Sequence, residues 1–155
     1  MENDHFVEYL ESQFGRVEIC ADQVGITSII FVKDKAQNTS SNAHTQQAVQ
    51  QLQEYFKGER TQFNLSLHAK GTAFQQQVWQ QLSKIDFGET CSYADIAHRI
   101  NNPKAVRAVG AANGKNPISI VVPCHRVIGS NGSLTGYAWG TPIKAGLLQL
   151  EGKTV

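Results

Sequence analysis

Cysteine is scarce in this sequence, and its few cysteines are widely separated. The three thiols, at Cys20, Cys91 and Cys124, are an odd number and form no Cys-x-x-Cys pair. This distribution argues against a disulfide framework or a cysteine-rich zinc site, and it favours a reducing, cytoplasmic compartment. The first half of the chain also offers no convincing cluster of metal ligands, so we expect no zinc and no cofactor.

Long apolar runs are absent as well. No stretch approaches the roughly 20 apolar residues that a membrane-spanning helix needs. The N-terminus is polar and acidic, which does not fit a secretory signal. Hydrophobic residues make up 41% of the chain and charged residues 17%, as is usual in globular proteins. We therefore expect an intracellular protein with no membrane partner.

Proline is missing from the first hundred residues, and the two halves of the chain differ in charge. All four prolines follow residue 100. Residues 1–70 carry 6 Lys+Arg and 9 Asp+Glu, whereas residues 71–155 carry 8 and 4. Chance can produce such an imbalance in small domains, but it also fits a polyanion-binding surface in the second half. We expect one domain over residues 1–70 and another over 71–155.

The first half has the pattern of a small α/β domain. Alternating apolar residues on either side of Asp22-Gln23 predict an antiparallel hairpin between residues 14 and 32. Apolar residues three and four apart predict a helix over 44–57, which Gly58 ends. A further alternation predicts a third strand over 63–67. We identify no chemistry in this domain.

The second half has the pattern of short, well-capped helices. Thr72 with Gln75, and Ser92 with Asp95, have the spacing of capping boxes. Pro103 suits the first position of the next helix, which should run to about residue 113 and stop at Gly114. Two short helices around a tight turn indicate a helix-turn-helix. An extended run over 118–122 then leads to Pro123-Cys124, and Thr141-Pro142 opens a last helix.

Cys124 and His125 are the adjacent residues with the clearest potential for chemistry. A free cysteine is most often a small buried hydrophobe, but a neighbouring imidazole can help to form a thiolate. Adjacent residues on an extended strand point to opposite faces. A direct hydrogen bond between the two side chains would therefore need a turn, and the alternative is a bridging water.

The segment around Cys124 resembles a known signature. Pro123-Cys124-His125-Arg126, preceded by Gly114-Lys115-Asn116-Pro117, is similar to the motif of O(6)-alkylguanine–DNA alkyltransferases. Further matches are Ser92-Tyr93, residues 102–110 and residues 147–152. The resemblance covers residues 71–155 strongly and the first seventy residues only in length and pattern. It implies a ribonuclease-H-like N-terminal α/β domain followed by a mostly helical winged-helix domain.

The same resemblance implies a self-inactivating DNA repair reaction. The thiolate of Cys124 would take the alkyl group from guanine O(6) in a single, irreversible transfer. His125 would deprotonate the thiol through a water, and Glu151 would orient His125 and stabilise its charged form. Asn116 would brace the turn that presents the cysteine, and Tyr93 would donate its hydroxyl towards the departing base. On composition alone, Glu151, Asn116 and Tyr93 could equally be a helix-end charge, a turn residue and a core-edge aromatic.

The resemblance also implies how DNA would be held. By this resemblance the protein would bind a duplex containing O(6)-alkylguanine through the minor groove, and we expect it to be a monomer in solution. Arg107 would fill the gap left by the flipped-out base. A small-residue face would let the helix approach closely, and its members are Ala105, Ala108, Gly110 and Ala111. An alanine-rich face can also simply pack against a core.

The pocket for the base departs from the family pattern at two positions. The backbone carbonyls of Cys124 and Val127 would accept from the guanine amino group, and Tyr137 would line the wall. Ala138 and Trp139 stand where some relatives have Ser and Gly. The indole could cover the core, but our hypothesis is that Trp139 narrows the pocket and disfavours bulky groups such as benzyl.

Two other functions fit part of the pattern. A non-catalytic sensor of alkylation damage could use the same helix-turn-helix, although a pure binder needs no thiolate. A cysteine hydrolase could use Cys124 and His125, but it would also need an oxyanion hole and would turn over.

Overall fold

The computed structural model describes residues 5–153 of the chain. The chain divides into two compact units, Met1–Lys70 and Gly71–Val155. Within the described residues, no helix is long and apolar enough to cross a membrane. Each unit is built from elements that the local sequence largely explains.

A three-stranded antiparallel sheet forms the first part of unit Met1–Lys70. Strands β1 (Phe6–Ser12), β2 (Gly15–Ala21) and β3 (Ile26–Val32) pair in the order β1-β2-β3. Alternation buries Val17, Ile19 and Ile29 completely on one face, as a half-buried sheet requires. The predicted hairpin is confirmed as β2 and β3.

The predicted strand over 63–67 is wrong, and the third strand is β1 instead. Residues 63–67 contribute only one bridge, between Leu67 and Ile26. There the backbone of Ile26 donates to Ser66 and accepts from His68. Gly25 permits this approach, since a Cβ there would lie 2.5 Å from the Ser66 carbonyl oxygen. This bridge lies at the β3 edge of the sheet, whereas β1 pairs along its whole length, seven residues with seven of β2.

Helix α1 (Ala43–Phe56) packs against the sheet and confirms the predicted helix. Asn42 caps it by accepting from the backbone of Thr45, whose side chain bonds back to the Asn42 backbone. Leu52 is fully buried. The chain leaves the helix through Gly58, whose φ of +77° favours glycine.

The second unit contains four short helices and two very short strands. The helices are α2 (Ala73–Leu82), α3 (Tyr93–Arg99), α4 (Val106–Gly114) and α5 (Thr141–Leu150). Strands β4 (Cys91–Ser92) and β5 (Val127–Ile128) pair in parallel. Both predicted capping boxes are present, at the starts of α2 and α3. Helices α3 and α4 form the predicted helix-turn-helix.

Two boundaries in this unit differ from the sequence prediction. Helix α4 begins at Val106, and Pro103 lies in the preceding turn rather than at the first helical position. That turn closes through a hydrogen bond from the Ala105 amide to the Asn102 carbonyl, which delays the helix by three residues. Gly114 is the last helical residue, and the cap is Lys115.

The predicted extended run over 118–122 is a folded turn. Val122 donates its backbone amide to the Ile118 carbonyl, and Ile120 has a φ of +72°. A positive φ is unfavourable for a β-branched residue and persists only where the surroundings enforce it. Here Asn116 supplies that enforcement from the side, by bonding to the backbone at both ends of the turn.

Candidate active site

Cys124 lies at the end of this braced turn. The Asn116 carboxamide accepts from the Ile118 amide at 3.0 Å and donates to the Val122 carbonyl at 2.8 Å. Residues Cys124–Arg126 then form one turn of 3-10 helix before β5. Successive side chains in such a turn are about 120° apart around its axis, whereas those on an extended strand point to opposite faces. Asn116 therefore has the geometry expected of a brace for Cys124.

His125 and Glu151 meet in the interior of the unit. The His125 Nε2 lies 2.8 Å from a carboxylate oxygen of Glu151, and both side chains are fully buried. An ionised carboxylate only accepts, so Nε2 carries the hydrogen and Nδ1 of the neutral ring keeps a lone pair. The Nδ1 atom is buried and has no hydrogen-bond partner among the described residues. Burial lowers the pKa of His125 although Glu151 opposes this, which favours the neutral ring.

Arg126 is a participant that the sequence analysis missed. Its guanidinium makes two hydrogen bonds to the Glu151 carboxylate, at 2.8 and 3.0 Å, and a third to the Ile85 carbonyl. Burial would raise the pKa of Glu151, but hydrogen bonds from His125 and Arg126 outweigh it and lower the pKa to about 2. The carboxylate at the C-terminal cap of α5 thus stays ionised where a helix dipole disfavours it.

The Cys124 thiol is almost completely buried, at 5% exposure. Burial raises its pKa, while Asn116 and the charge of Lys144 act in the opposite direction. A buried thiol gains reactivity only when a base removes its proton. The next residue supplies an imidazole whose free nitrogen can accept one.

Two tyrosines lie within electrostatic range of Cys124. Burial raises the pKa of Tyr93 and raises that of Tyr137 well above its ordinary value, and a Cys124 thiolate would raise both further. The Tyr93 hydroxyl donates to the Thr135 carbonyl at 3.0 Å. Both phenols therefore stay protonated and neutral.

Lys144 is a second participant that the sequence analysis missed. Its side chain, on α5, is fully buried, and its Nζ donates to the carbonyls of Val127 and Thr135. Burial lowers the pKa of Lys144 to about 8, although the Cys124 thiolate opposes this. Its burial could not be predicted from the sequence, since lysine is rarely buried in folded proteins.

Helix α4 exposes the residues that were expected to contact DNA. Arg107, Ala108 and Ala111 are exposed, whereas Ala105 and Gly110 are half-buried. Gly110 faces the Tyr93 ring, which a Cβ would approach to 3.9 Å. The opposite side of α4 packs inward through Val109 and Ala112. Ala112 thus packs into the core, whereas Ala108 and Ala111 form an open surface of small residues.

Trp139 is held by a specific hydrogen bond. Its indole Nε1 donates to the Ser119 hydroxyl at 2.8 Å. This bond links the loop between β5 and α5 to the turn over residues 118–122 that precedes Cys124. Trp139 is half-buried, and Ala138 is exposed. The indole therefore has a fixed orientation near the turn. Across residues 5–153, no group of three or more His, Cys, Asp or Glu side chains could hold a metal ion.

The two units match two halves of one family. The family model "6-O-methylguanine DNA methyltransferase, DNA binding domain" matches residues 73–153. Its companion, "6-O-methylguanine DNA methyltransferase, ribonuclease-like domain", matches residues 6–69. The chain belongs to this family. Its two-domain architecture, a small sheet domain followed by a helical domain, is that of the family.

Relatives that match nearly the whole length of this chain belong to the same family. The methylated-DNA–protein-cysteine methyltransferase of Methanosarcina acetivorans is 47% identical, covering 92% of this chain and 95% of the relative. The constitutive enzyme of the same name from Bacillus subtilis is 50% identical, covering 91% and 92%. A crystal structure of Mycobacterium tuberculosis OGT in complex with DNA superposes with a TM-score of 0.87 at 43% identity, covering 94% and 92%.

Proposed function

We propose that this family member repairs DNA by moving a methyl group from guanine O(6) to Cys124. The observation that carries the proposal is the buried chain Nδ1–imidazole–Nε2–Glu151, which follows Cys124 directly. Glu151 fixes the tautomer that leaves Nδ1 free to take a proton. A cysteine that only filled space in the core would need no such neighbour.

The proton would travel from Cys124 to His125 through a bridging water. The sulfur then attacks the methyl carbon, the carbon–oxygen bond breaks, and its electron pair stays on the guanine oxygen. Glu151 stabilises the imidazolium that forms, and Arg126 holds Glu151 in place. The thioether has no reductive route back, unlike a disulfide. Each molecule therefore reacts once.

Tyr93 would donate to the base as negative charge develops on it. In the free protein its hydroxyl donates to the Thr135 carbonyl, so it must turn away from that partner when the base arrives. The carbonyls of Cys124 and Val127 would accept from the guanine amino group, and Tyr137 would form a wall of the pocket.

Helix α4 would enter the minor groove of duplex DNA with its small exposed residues. Guanine O(6) lies on the major-groove edge of the base pair, so a protein docked in the minor groove must flip the base out to bring it to a buried thiol. Arg107, exposed in the first turn of α4, would occupy the space that the base leaves. The minor groove differs little between sequences, which suits a protein that must find a lesion anywhere. We propose that one protein monomer acts on one lesion.

Intact-protein mass spectrometry tests the reaction. The protein is incubated with a duplex containing one O(6)-methylguanine, beside the Cys124→Ala variant as control. We expect one added methyl per chain, located on Cys124 and absent from the variant. No gain in mass, with the lesion still bound, would refute methyl transfer and leave a damage sensor as the function.

A further inference from the structure

Lys144 is a buried cation without a carboxylate partner. Its side chain is fully buried, and none of the ion pairs found among residues 5–153 includes it. A charge in the interior is costly unless it is paired. An apolar residue of similar length would fill the same space without that cost. The ammonium group therefore calls for an explanation beyond packing.

Three separate segments of the proposed base-binding site meet at this ammonium group. Its Nζ donates to the Val127 carbonyl at 2.6 Å and to the Thr135 carbonyl at 2.8 Å. It also lies 6.0 Å from the centre of the Tyr93 ring. Val127 follows the 3-10 turn of Cys124, Thr135 belongs to the loop between β5 and α5, and Tyr93 begins α3. One side chain thus joins the cysteine turn, the loop and the helix-turn-helix.

The two carbonyls matter because each can accept a hydrogen bond from Lys144 and another from a second donor. A carbonyl oxygen has two lone pairs, so Val127 can accept from Lys144 and still accept from a second donor. The proposed reaction gives Val127 that second donor, the amino group of the guanine. The Thr135 carbonyl is shared between Lys144 and the Tyr93 hydroxyl. When Tyr93 turns to the base, Lys144 is left to hold the loop.

We propose that Lys144 is a positioning residue for recognition of the flipped base, because it fixes the Val127 carbonyl and the Thr135 loop in the arrangement that accepts guanine. This inference rests on the proposed function. It assigns Lys144 to the binding of the base and not to removal of the Cys124 proton. The charge still lies close enough to Cys124 to affect the thiol, so the test must separate the two roles.

Binding measured without the thiol separates them. Lys144→Met is combined with Cys124→Ala, and affinity is measured for a duplex with one O(6)-methylguanine and for the same duplex unmodified. We expect the preference for the modified duplex to fall about tenfold or more, with little change for the unmodified one. Lys84→Met in the same Cys124→Ala protein makes the same substitution at an exposed position and should keep the preference.

Three results would overturn the inference. An unchanged preference in the folded double variant would mean that Lys144 acts only through the thiol or not at all. An equal loss for both duplexes would mean a general effect on DNA binding. If Lys144→Met does not fold, Lys144→Gln takes its place, and an unchanged preference there overturns the inference too. Absence of methyl transfer by the wild-type protein is a separate failure, that of the proposed function.

Discussion

The pH dependence of stability should reveal what the burial of Lys144 costs. Burial lowers the pKa of this lysine from 10.5 to about 8 in the folded protein. That difference corresponds to about 3 kcal/mol of stability lost at neutral pH, since the unfolded chain carries the charge in water.

The direction of the effect follows from the two pKa values. Between pH 8 and 10.5 the unfolded chain binds more protons than the folded protein, so stability rises with pH. Relative to Lys144→Met, the wild-type side chain should gain about 3 kcal/mol over this window and nothing below pH 8. At pH 7 we expect the two proteins to be within about 2 kcal/mol of each other. Methionine avoids the charge but deprives the Val127 carbonyl of the lysine donor, at about 1–3 kcal/mol, while Tyr93 still donates to the Thr135 carbonyl.

Denaturant unfolding followed by tryptophan fluorescence provides the assay. Both tryptophans, Trp79 and Trp139, lie in unit Gly71–Val155, so the signal reports the unit that contains Lys144. Both arms carry Cys124→Ala, since a Cys124 thiolate raises the pKa of Lys144. Parallel stability curves from pH 8 to 10.5 would refute the reasoning, as would a wild-type side chain that loses stability relative to methionine.

Three further perturbations test the rest of the site. Glu151→Gln should remove acid-sensitive stability. The pKa of Glu151 is lowered to about 2, so up to about 3 kcal/mol is present above pH 4.5 and lost towards pH 2. Acid unfolding is compared with and without this substitution in a His125→Gln protein, where Arg126 still lowers the pKa of Glu151 and part of this stability remains. The loss should be shallower in the Glu151→Gln variant, and equal slopes would contradict this. Arg107→Ala should weaken DNA binding and reduce the salt dependence by about one counterion, whereas Lys57→Ala should do neither; equal behaviour would remove Arg107 from the interface. Trp139→Gly should react faster with benzylguanine than the parent protein, and equal rates would refute a narrowed pocket.

Local patterns of the sequence determined the helices and the main hairpin. Capping boxes at Thr72 and Ser92, and the alternation on both sides of Asp22, act over a few residues, and the structure follows them. The sequence also predicted a reactive pair at Cys124 and His125, because the two residues are adjacent and stand in a family motif. Matches to both halves of that family confirm the assignment.

Two segments differ from what these local patterns predict. Residues 63–67 alternate like a strand, but they make only a single bridge, to Ile26 at the β3 edge of the sheet. The apolar run over 118–122 should be extended by propensity, yet the Asn116 side chain takes over its backbone hydrogen bonds and folds it into a turn. Backbone propensity predicts neither outcome, because the first depends on the partner strand and the second on a side chain that bonds to the backbone.

The sequence by itself thus determined the family and the local elements and predicted the nucleophile, while the tertiary structure decided the electrostatics around it. Glu151 lies 26 residues from His125 in sequence and 2.8 Å from it in space. Arg126 and Lys144 read as ordinary basic residues until the fold buries them, one against Glu151 and the other against two carbonyls. Burial changes the energy of a charge far more than its neighbours in sequence do, and burial exists only once the chain has folded.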